Sequence, residues 1–530
     1  MQSDRPSRPV APVAFAPRIP TLAVMAAAVA SLLAGCAVGP DYHRPEVSVP
    51  ASYKEAAEGW KTAQPADQHD RGSWWTVYND PQLNALEDKL NASNQTVAQF
   101  AAAYRQARAL VGEARAAYFP VVSVSGSGQR ARTPRSSSGG GNTSSGNSGS
   151  INNSFNLSLD ATWEPDLWGK VSRSVNAQEE GQQGAAADLA NARLSAQATL
   201  AQTYFSIRSL DAQQKLLDDT VAAYERSLQL TQNRYAQGVA ARSDVIQART
   251  QLQSAQASAI DNGVARAQDE HAIAVLVGEP ASTFTLARAP LDATPPDVPP
   301  QMPSALLERR PDIASAERKA AAANEQIGIA IAAFFPSLTL SATGGFENSV
   351  FSKLLTAPSR FWTVGPQLAA TLFDAGLRSA QTNAARAAYD QQVATYRQTV
   401  LTAFQDVEDN LASLRILAQE IEVQQQAVDS ARQALDIVTN QYKSGTVDYL
   451  NVLTAQTTAF LAEQKLASIA GQRMVSSVGL VKALGGGWDV AQMNRETGDV
   501  AAPAAASSAP AVSDALTAPG PIADAQARSN

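Results

Sequence analysis

Two long stretches of the chain carry apolar side chains at alternating steps of three and four residues. In the stretch 376–441 these positions begin at Tyr389, continue through Leu411 and resume at Val428. Such spacing puts the apolar side chains along one seam of an α-helix. The stretch has no proline, and at 1.5 Å per residue it forms a helix of roughly 100 Å. The stretch 169–234 repeats the pattern more loosely, so the sequence predicts two long helices with coiled-coil packing.

A short turn that contains glycine follows each predicted long helix. The two glycines are Gly238 and Gly445, and a further stretch of helical pattern comes after each of them. Glycine readily adopts the left-handed backbone conformation that ends many helices and lets the chain reverse. The sequence therefore predicts two antiparallel helical hairpins.

Four shorter segments alternate between apolar and polar residues with the period of a β-strand, and they lie near 122–127, 155–163, 337–343 and 362–372. They approach the length of about 9–11 residues that a tilted strand needs to cross a bilayer. A half-buried sheet of a soluble protein is the alternative. In hydrocarbon, the unpaired edges of four strands would cost several kcal/mol per group, so several chains would have to pool their strands. Two chains would give eight strands and three would give twelve.

The chain contains two copies of one unit. A constant offset of 207 residues pairs Tyr235 with Tyr442, Gly238 with Gly445 and Gly278 with Gly485. We predict six parts: a lipoprotein signal peptide at 1–35, a lipidated extended segment at 36–79, a first structural repeat at 80–289, a proline-rich connector at 290–303, a second structural repeat at 304–488 and a disordered tail rich in Ala, Pro and Ser at 489–530.

The one cysteine of the chain, Cys36, follows a stretch typical of a secretory signal. Three arginines precede a largely apolar run of 13 residues from Thr21 to Leu33, and this run is too short to span the ~30 Å hydrocarbon core of a bilayer. Leu33-Ala34-Gly35-Cys36 resembles the bacterial lipobox, which implies cleavage before Cys36 and a lipid on its sulfur. Ala37 stands where an Asp would retain a lipoprotein at the inner membrane, so we expect outer-membrane delivery. An ordinary signal peptide with an incidental cysteine is the alternative.

Charge and composition argue against several classes of function. The chain has 42 Lys and Arg against 49 Asp and Glu, a net charge of −7, whereas nucleic-acid binding needs clustered basic residues. We therefore expect no nucleic-acid partner. The three histidines are scattered without a pair at metal-ligand spacing, and no nucleophile motif stands out. We expect no enzyme, no metal and no cofactor other than the covalent lipid on Cys36.

An ordered set of motifs resembles the TolC-like outer-membrane factors, in the NodT branch of lipoproteins that serve resistance-nodulation-division (RND) efflux pumps. Together they extend over roughly residues 36 to 490. Besides the lipobox, the set comprises Gly39-Pro40-Asp41-Tyr42-His43-Arg44-Pro45, Trp74-Trp75, Asp80-Pro81-Gln82-Leu83, Leu307-Glu308-Arg309-Arg310-Pro311-Asp312-Ile313 and Lys482-Ala483-Leu484-Gly485-Gly486-Gly487-Trp488.

The resemblance implies a fold, a function and a set of partners. The fold would be a mixed α and β membrane protein, a homotrimer whose twelve-stranded outer-membrane β-barrel, with four strands per chain, continues into a twelve-helix periplasmic α-barrel. The function would be a passive, gated exit duct for drugs or other small toxic compounds. The partners would be outer-membrane lipid, a periplasmic adaptor (membrane fusion) protein and, through it, an inner-membrane RND transporter.

The resemblance also implies a gate at the periplasmic tip, just after the second hairpin turns. Leu450 matches a leucine that closes an apolar ring in some members of the family. Asn451 and Thr454 stand where relatives carry constricting aspartates, so this sequence departs from the acidic ring of those relatives. Thr457 and Asp448 complete the predicted gate.

A gate lock is implied at the same tip. Asp244 matches an acid whose contact with a tyrosine, here Tyr442, helps to hold the closed state of the family. Val447 replaces the arginine that joins this lock in some relatives. The alternative for Asp244 is a helix N-cap or a solvated acid.

Other functions stay open at this point. One is the outer-membrane channel of a type I protein secretion system, and another is a structural lipoprotein that spans the periplasm as a coiled coil without a pore. Arg309-Arg310 resembles a basic docking patch, but Pro311 and Asp312 behind it favour the start of a helix.

Overall fold

The computed structural model describes residues 37–50, 52–55, 73–132, 151–291, 293–296 and 309–486. The predictions made for the signal peptide, for Cys36, for most of the connector and for the C-terminal tail lie outside these ranges. After a short 3-10 helix at Trp74–Tyr78, the described helices are α1 (Pro81–Ser93), α2 (Gln95–Ala116), α3 (Lys170–Ala236), α4 (Arg242–Leu276), α5 (Pro311–Ala332), α6 (Leu377–Ser444) and α7 (Tyr449–Ala483).

Four strands form one antiparallel sheet in chain order. They are β1 (Val121–Arg132), β2 (Ile151–Trp163), β3 (Ser337–Asn348) and β4 (Arg360–Ala369). The apolar residues of neighbouring strands share a face, because Val124 pairs with Leu159, Leu159 with Gly344, and Gly344 with Trp362. The sequence prediction of four amphipathic strands is confirmed. Within one chain, β1 and β4 each keep one unpaired edge.

The fourth strand ends earlier than its apolar pattern predicts. Leu372 continues the alternation, yet β4 stops at Ala369 and the side chain of Leu372 is 97% exposed. Ala369 pairs with Ser337, the first residue of β3, and Pro336 before it has no N–H to donate to a longer partner. The prediction for the last residues of this strand was therefore wrong, because the partner strand begins where it does.

The two long helices are confirmed. α3 has 67 residues and α6 has 68, so each is about 100 Å long. Gly169 and Gly376 precede them with φ of +78° and +89°, a conformation that turns the chain sharply out of the sheet. None of the helices in the described ranges combines the length and the apolarity that crossing a membrane requires.

Shorter helices stack end to end alongside the long ones. Ser93, the last residue of α1, and Asn94 after it donate side-chain hydrogen bonds of 2.7 Å to the carbonyls of Val277 and Leu276 at the end of α4. At the start of α5, Arg310 donates to the carbonyl of Ala483 at the end of α7, at 3.3 Å. The order helix, strand, strand, long helix, helix thus occurs twice, with the sheet at one end and the two hairpin turns at the other.

The largest apolar core lies at mid-height. Trp74, Trp75 and Tyr78 pack there against Tyr204 and Phe205 of α3, together with residues of α1 and α7. Their polar atoms are satisfied, since the Trp74 indole N–H donates to Gln197 and the Tyr78 hydroxyl bonds with Ser477. This core holds the helices together at the middle of their length. The sheet and the two hairpin turns lie outside it.

The N-terminal segment lies along the outside of the helices. The backbone N–H of Val38 donates to the carbonyl of Trp168 beside the sheet, and the Tyr42 hydroxyl donates to Glu317 at 2.9 Å. Further on, the Glu408 carboxylate accepts bonds from the backbone amides of residues 54 and 55. The segment therefore runs from the sheet end toward mid-height, fixed by polar contacts.

Candidate functional site

The two hairpin turns lie side by side at the end of the molecule opposite the sheet. Gly238 and Gly445 end the turns of the two long helices with φ of +74° and +81°. An apolar cluster made of Ala248, Tyr442, Tyr449 and Val452, with partly buried neighbours from α3, joins the two hairpins. The rings of Tyr442 and Tyr449 meet edge to face with centroids 5.6 Å apart. Burial is the main reason that the pKa of Tyr449 lies above its ordinary value.

Arg234, in the last turn of α3, holds the end of the other long helix. One of its guanidinium nitrogens donates to the carbonyl oxygens of Tyr442 and Lys443 at 2.9 and 3.0 Å. The guanidinium also lies over the Tyr442 ring, 4.7 Å from its centroid. Carbonyls at a helix C-terminus lack partners and carry partial negative charge, so a cation there is stabilising. The sequence reasoning missed this contact, because nothing local to Arg234 shows which helix it meets.

The predicted contact between Asp244 and Tyr442 does not form a hydrogen bond in this structure. The Tyr442 hydroxyl is buried with no hydrogen-bond partner. Asp244 lies in the first turn of α4, and its carboxylate accepts a bond of 3.2 Å from the neighbouring Ser243 hydroxyl. Arg234 covers the tyrosine ring instead, and Val447 packs as an apolar neighbour of the cluster.

One face of α7 near the turn is open within the protomer. Leu450 is 60% exposed, Asn451 and Thr454 are exposed beside it, and the Thr454 hydroxyl returns a bond to the Leu450 carbonyl. The opposite face is buried through Val452 and Ala459. Three of the predicted gate residues therefore share one uncovered side of the helix.

The other two predicted gate residues have different positions. Asp448 is the exposed N-cap of α7, and its side chain forms no capping hydrogen bond. Thr457 is half-buried, and its hydroxyl donates to the Leu453 carbonyl and lies 3.4 Å from the Gln251 amide of α4. Thr457 thus faces the other hairpin, whereas Asp448 faces solvent.

The two faces of the sheet differ in chemistry. On the polar face, the Asp160 carboxylate accepts hydrogen bonds from Ser125, Ser158 and Thr343 on three neighbouring strands, at 2.8 to 3.2 Å. On the apolar face, exposed side chains follow β1, β2 and β4, and they include Val122, Val124, Leu157, Leu159, Trp362, Val364 and Leu368. One face thus suits water and the other suits hydrocarbon.

Buried charges in the described helices form ion pairs. Arg310 pairs with Asp312 at 2.6 Å and with Asp406 of α6 at 3.0 Å. Burial opposes its charge, but these carboxylates outweigh the burial and raise the pKa of Arg310 above its ordinary value. Arg310 therefore joins α5, α6 and α7, which confirms the structural interpretation of this motif over a docking patch. In the described part of the chain, no group of His, Cys, Asp or Glu is arranged to hold a metal ion.

Glu87 of α1 is an exception among the buried charges. It is fully buried, and neither carboxylate oxygen has a hydrogen-bond partner. Burial, with a smaller contribution from Asp88, raises its pKa to about 9. The side chain is therefore protonated at neutral pH.

Comparison with known proteins gives consistent matches over most of the chain. The family model described as "Outer membrane efflux protein" matches residues 86–279 and 302–486. The toluene efflux pump outer membrane protein TtgC of Pseudomonas putida is 32% identical over 466 residues, which are 87% of this chain and 95% of that protein. The outer membrane protein OprJ of Pseudomonas aeruginosa is 31% identical over 475 residues, 89% of this chain and 97% of OprJ.

Solved structures match over a similar extent. The outer-membrane channel OprN superposes with a TM-score of 0.78 at 28% identity, covering 86% of this chain and all of OprN. The open state of the MtrE outer membrane channel of Neisseria gonorrhoeae gives a TM-score of 0.74 at 27% identity, covering 85% of this chain and 98% of MtrE.

Proposed function

The chain belongs to the outer membrane efflux protein family, and from this premise we propose that it is the outer-membrane exit channel of a tripartite RND-type efflux pump. The observation that carries the proposal is the distribution of chemistry along the molecule. A sheet with one apolar and one polar face lies at one end, two hairpin turns lie at the other, and about 100 Å of helix separates them. The chain would act as a passive duct without enzymatic activity.

We propose that three copies complete the channel. The outer edges of β1 and β4 have no partner strand within the chain, and unpaired amides facing lipid cost several kcal/mol each. Pairing β4 of one copy with β1 of the next removes every edge. With four strands per chain, three copies give the twelve-stranded barrel of the related family, with the polar face and Asp160 toward the lumen.

We propose a lipid anchor on Cys36 in the outer membrane. Ala37, the residue that follows it, lies against Gly169 at the junction of the sheet and α3. The extended segment then runs away from the sheet along the helices. A lipid at this height would enter the same membrane as the apolar face of the sheet, on its periplasmic side.

We propose that the gate lies at the hairpin turns. The uncovered face of α7 with Leu450, Asn451 and Thr454 would point into the tunnel, and a ring of three leucines would exclude ions by dewetting. Opening would separate the second hairpin from the first. The contacts that oppose this separation are those of Arg234 and of the apolar cluster around Tyr442.

We infer the partners and the substrate class from the related pumps. We propose that the hairpin turns dock on a periplasmic adaptor protein, which connects the channel to an inner-membrane RND transporter that supplies the energy. The exported compounds would be drugs or other small toxic molecules, as the names of the related antibiotic and toluene efflux proteins suggest.

The test is conductance of the purified protein in planar lipid bilayers. We expect small, mostly closed conductance from the wild type and a marked increase in Leu450→Ala. Leu461→Ala is the matched control, because Leu461 is a similarly exposed leucine of α7 at 54%, three helical turns farther from the hairpin turn. Absence of any conductance from both variants would overturn the channel. Equal increases in the conductance of the two variants would show that the gate does not lie at Leu450.

A further inference from the structure

The β1–β2 hairpin carries only positive charge over most of its length. From residue 121 to residue 159 the sequence has three arginines, Arg130 and Arg132 among them, and no Asp or Glu. The net charge of the whole chain is −7, so this hairpin reverses the general sign. The connecting loop 133–150 lies outside the described residues, and its sequence offers no carboxylate to neutralise the strand arginines.

Arg130 and Arg132 lie on the apolar face of the sheet, at its far end. They pair across the ladder with Asn153 and Ile151. Because side chains alternate along a strand, they share the face of Val124. Both arginines are exposed, and neither forms an ion pair with a described residue. Two cations therefore border an apolar surface.

Their height matches the outer edge of a membrane. Nine residues separate Val121 from Arg130, which is about 30 Å along a strand at roughly 3.3 Å per residue. At a strand tilt of about 40°, the vertical distance is about 23 Å, close to the apolar band of roughly 25 Å in outer-membrane proteins. The guanidinium groups thus lie where lipid headgroups of the outer leaflet begin.

The sheet surface next to the arginines, toward the middle of the sheet, is apolar and has little side-chain bulk. Gly128 has no side chain, and the Phe155 ring lies over it, 3.3 Å from the place of a Cβ. Phe155 also meets Phe351 of the β3–β4 connection edge to face, with centroids 5.4 Å apart. An acyl chain can lie along these rings while its headgroup reaches the guanidinium groups.

We propose that Arg130 and Arg132 bind the phosphate groups of a phosphorylated glycolipid in the outer leaflet of the outer membrane. The planar guanidinium fork matches the oxygens of a phosphate, and two arginines spaced two residues apart can hold one headgroup. The inference rests on the orientation given by the proposed function, in which this end of the sheet faces outward.

The experiment measures lipid binding to the purified assembly in detergent. The probes are bisphosphorylated lipid A, the same lipid without phosphates, and inorganic phosphate alone, with bound lipid counted by native mass spectrometry. The test variant is Arg130→Gln with Arg132→Gln. The control is Arg226→Gln with Arg397→Gln, which removes two exposed arginines from the long helices.

We expect the test variant to bind bisphosphorylated lipid A at least about tenfold more weakly than wild type, with the control unchanged and the phosphate-free lipid weak for all. Equal binding by test variant and wild type, or equal binding of both lipids, would overturn the proposal. Displacement of the lipid by millimolar inorganic phosphate would also overturn the proposal, because the two arginines would then be a site for free anions. Conductance is recorded in parallel, and wild-type conductance in the test variant separates a failed lipid site from a failed channel.

Discussion

Arg234 offers the sharpest test of how the hairpin turns are held together. Arg234→Gln removes two charge-assisted hydrogen bonds to the end of α6 and the stacking on Tyr442. At a half-buried site each bond contributes about 1 kcal/mol and the cation–π contact about 0.5 kcal/mol. The total of about 2.5 kcal/mol corresponds to a roughly 70-fold increase per protomer in the equilibrium constant for separating the two turns.

The assay is single-channel recording of the reconstituted protein. We expect Arg234→Gln to spend far more time open than wild type, and Arg234→Lys to fall between them, because lysine keeps the charge at the helix end but lacks the planar fork. Arg226→Gln is the matched control, since Arg226 is an exposed arginine two turns earlier on α3. Open probabilities of Arg234→Gln equal to those of wild type and control would show that Arg234 does not hold the two turns together.

Three further predictions concern stability and anchoring. Glu87→Gln should raise the melting temperature. The folded state keeps the Glu87 proton up to pH about 9, whereas the unfolded chain releases it above about 4.5. The stability of the wild type therefore falls as pH rises between these values, by about 3 kcal/mol at pH 7, and glutamine removes this loss. Calorimetry showing a gain that does not grow from pH 5 to pH 9 would contradict this. Arg310→Met leaves Asp312 and Asp406, whose side chains are 25% and 45% exposed, without their cation and should cost about 1–3 kcal/mol, seen as a lower melting temperature; an unchanged melting temperature would speak against the ion-pair role. Cys36→Ala, expressed behind an ordinary secretory signal, should lose radiolabelled palmitate yet conduct normally, and persistent label would place the lipid elsewhere.

Local patterns predicted the elements that depend on near neighbours in the chain. The spacing of Tyr389, Leu411 and Val428 predicted α6, and period-two alternation predicted the sheet. Both signals arise because each residue of a helix or strand points to a fixed side. The family resemblance added the efflux channel, which the relatives support.

Contacts between distant residues could not be predicted in the same way. Asn94 ends α1 and caps α2 by accepting a bond from Val97, because the end of α4 meets the chain there. Arg234 reaches carbonyls 208 and 209 residues away, and no pattern around it reveals them. The length of β4 depended on where β3 begins. Each of these features is decided by the packing of separate elements.

In the proposed channel, copies of this chain complete one another's sheets. Within a protomer, β1 and β4 are three strand spacings apart, about 14 Å, whereas a disulfide needs Cα atoms within about 7 Å. Each variant carries one introduced cysteine in β1 and one in β4, on the Cys36→Ala background. These two cysteines can therefore form a disulfide only between chains. We expect covalent trimers in oxidised outer-membrane fractions for pairs in register. Monomers from every pair would contradict this arrangement.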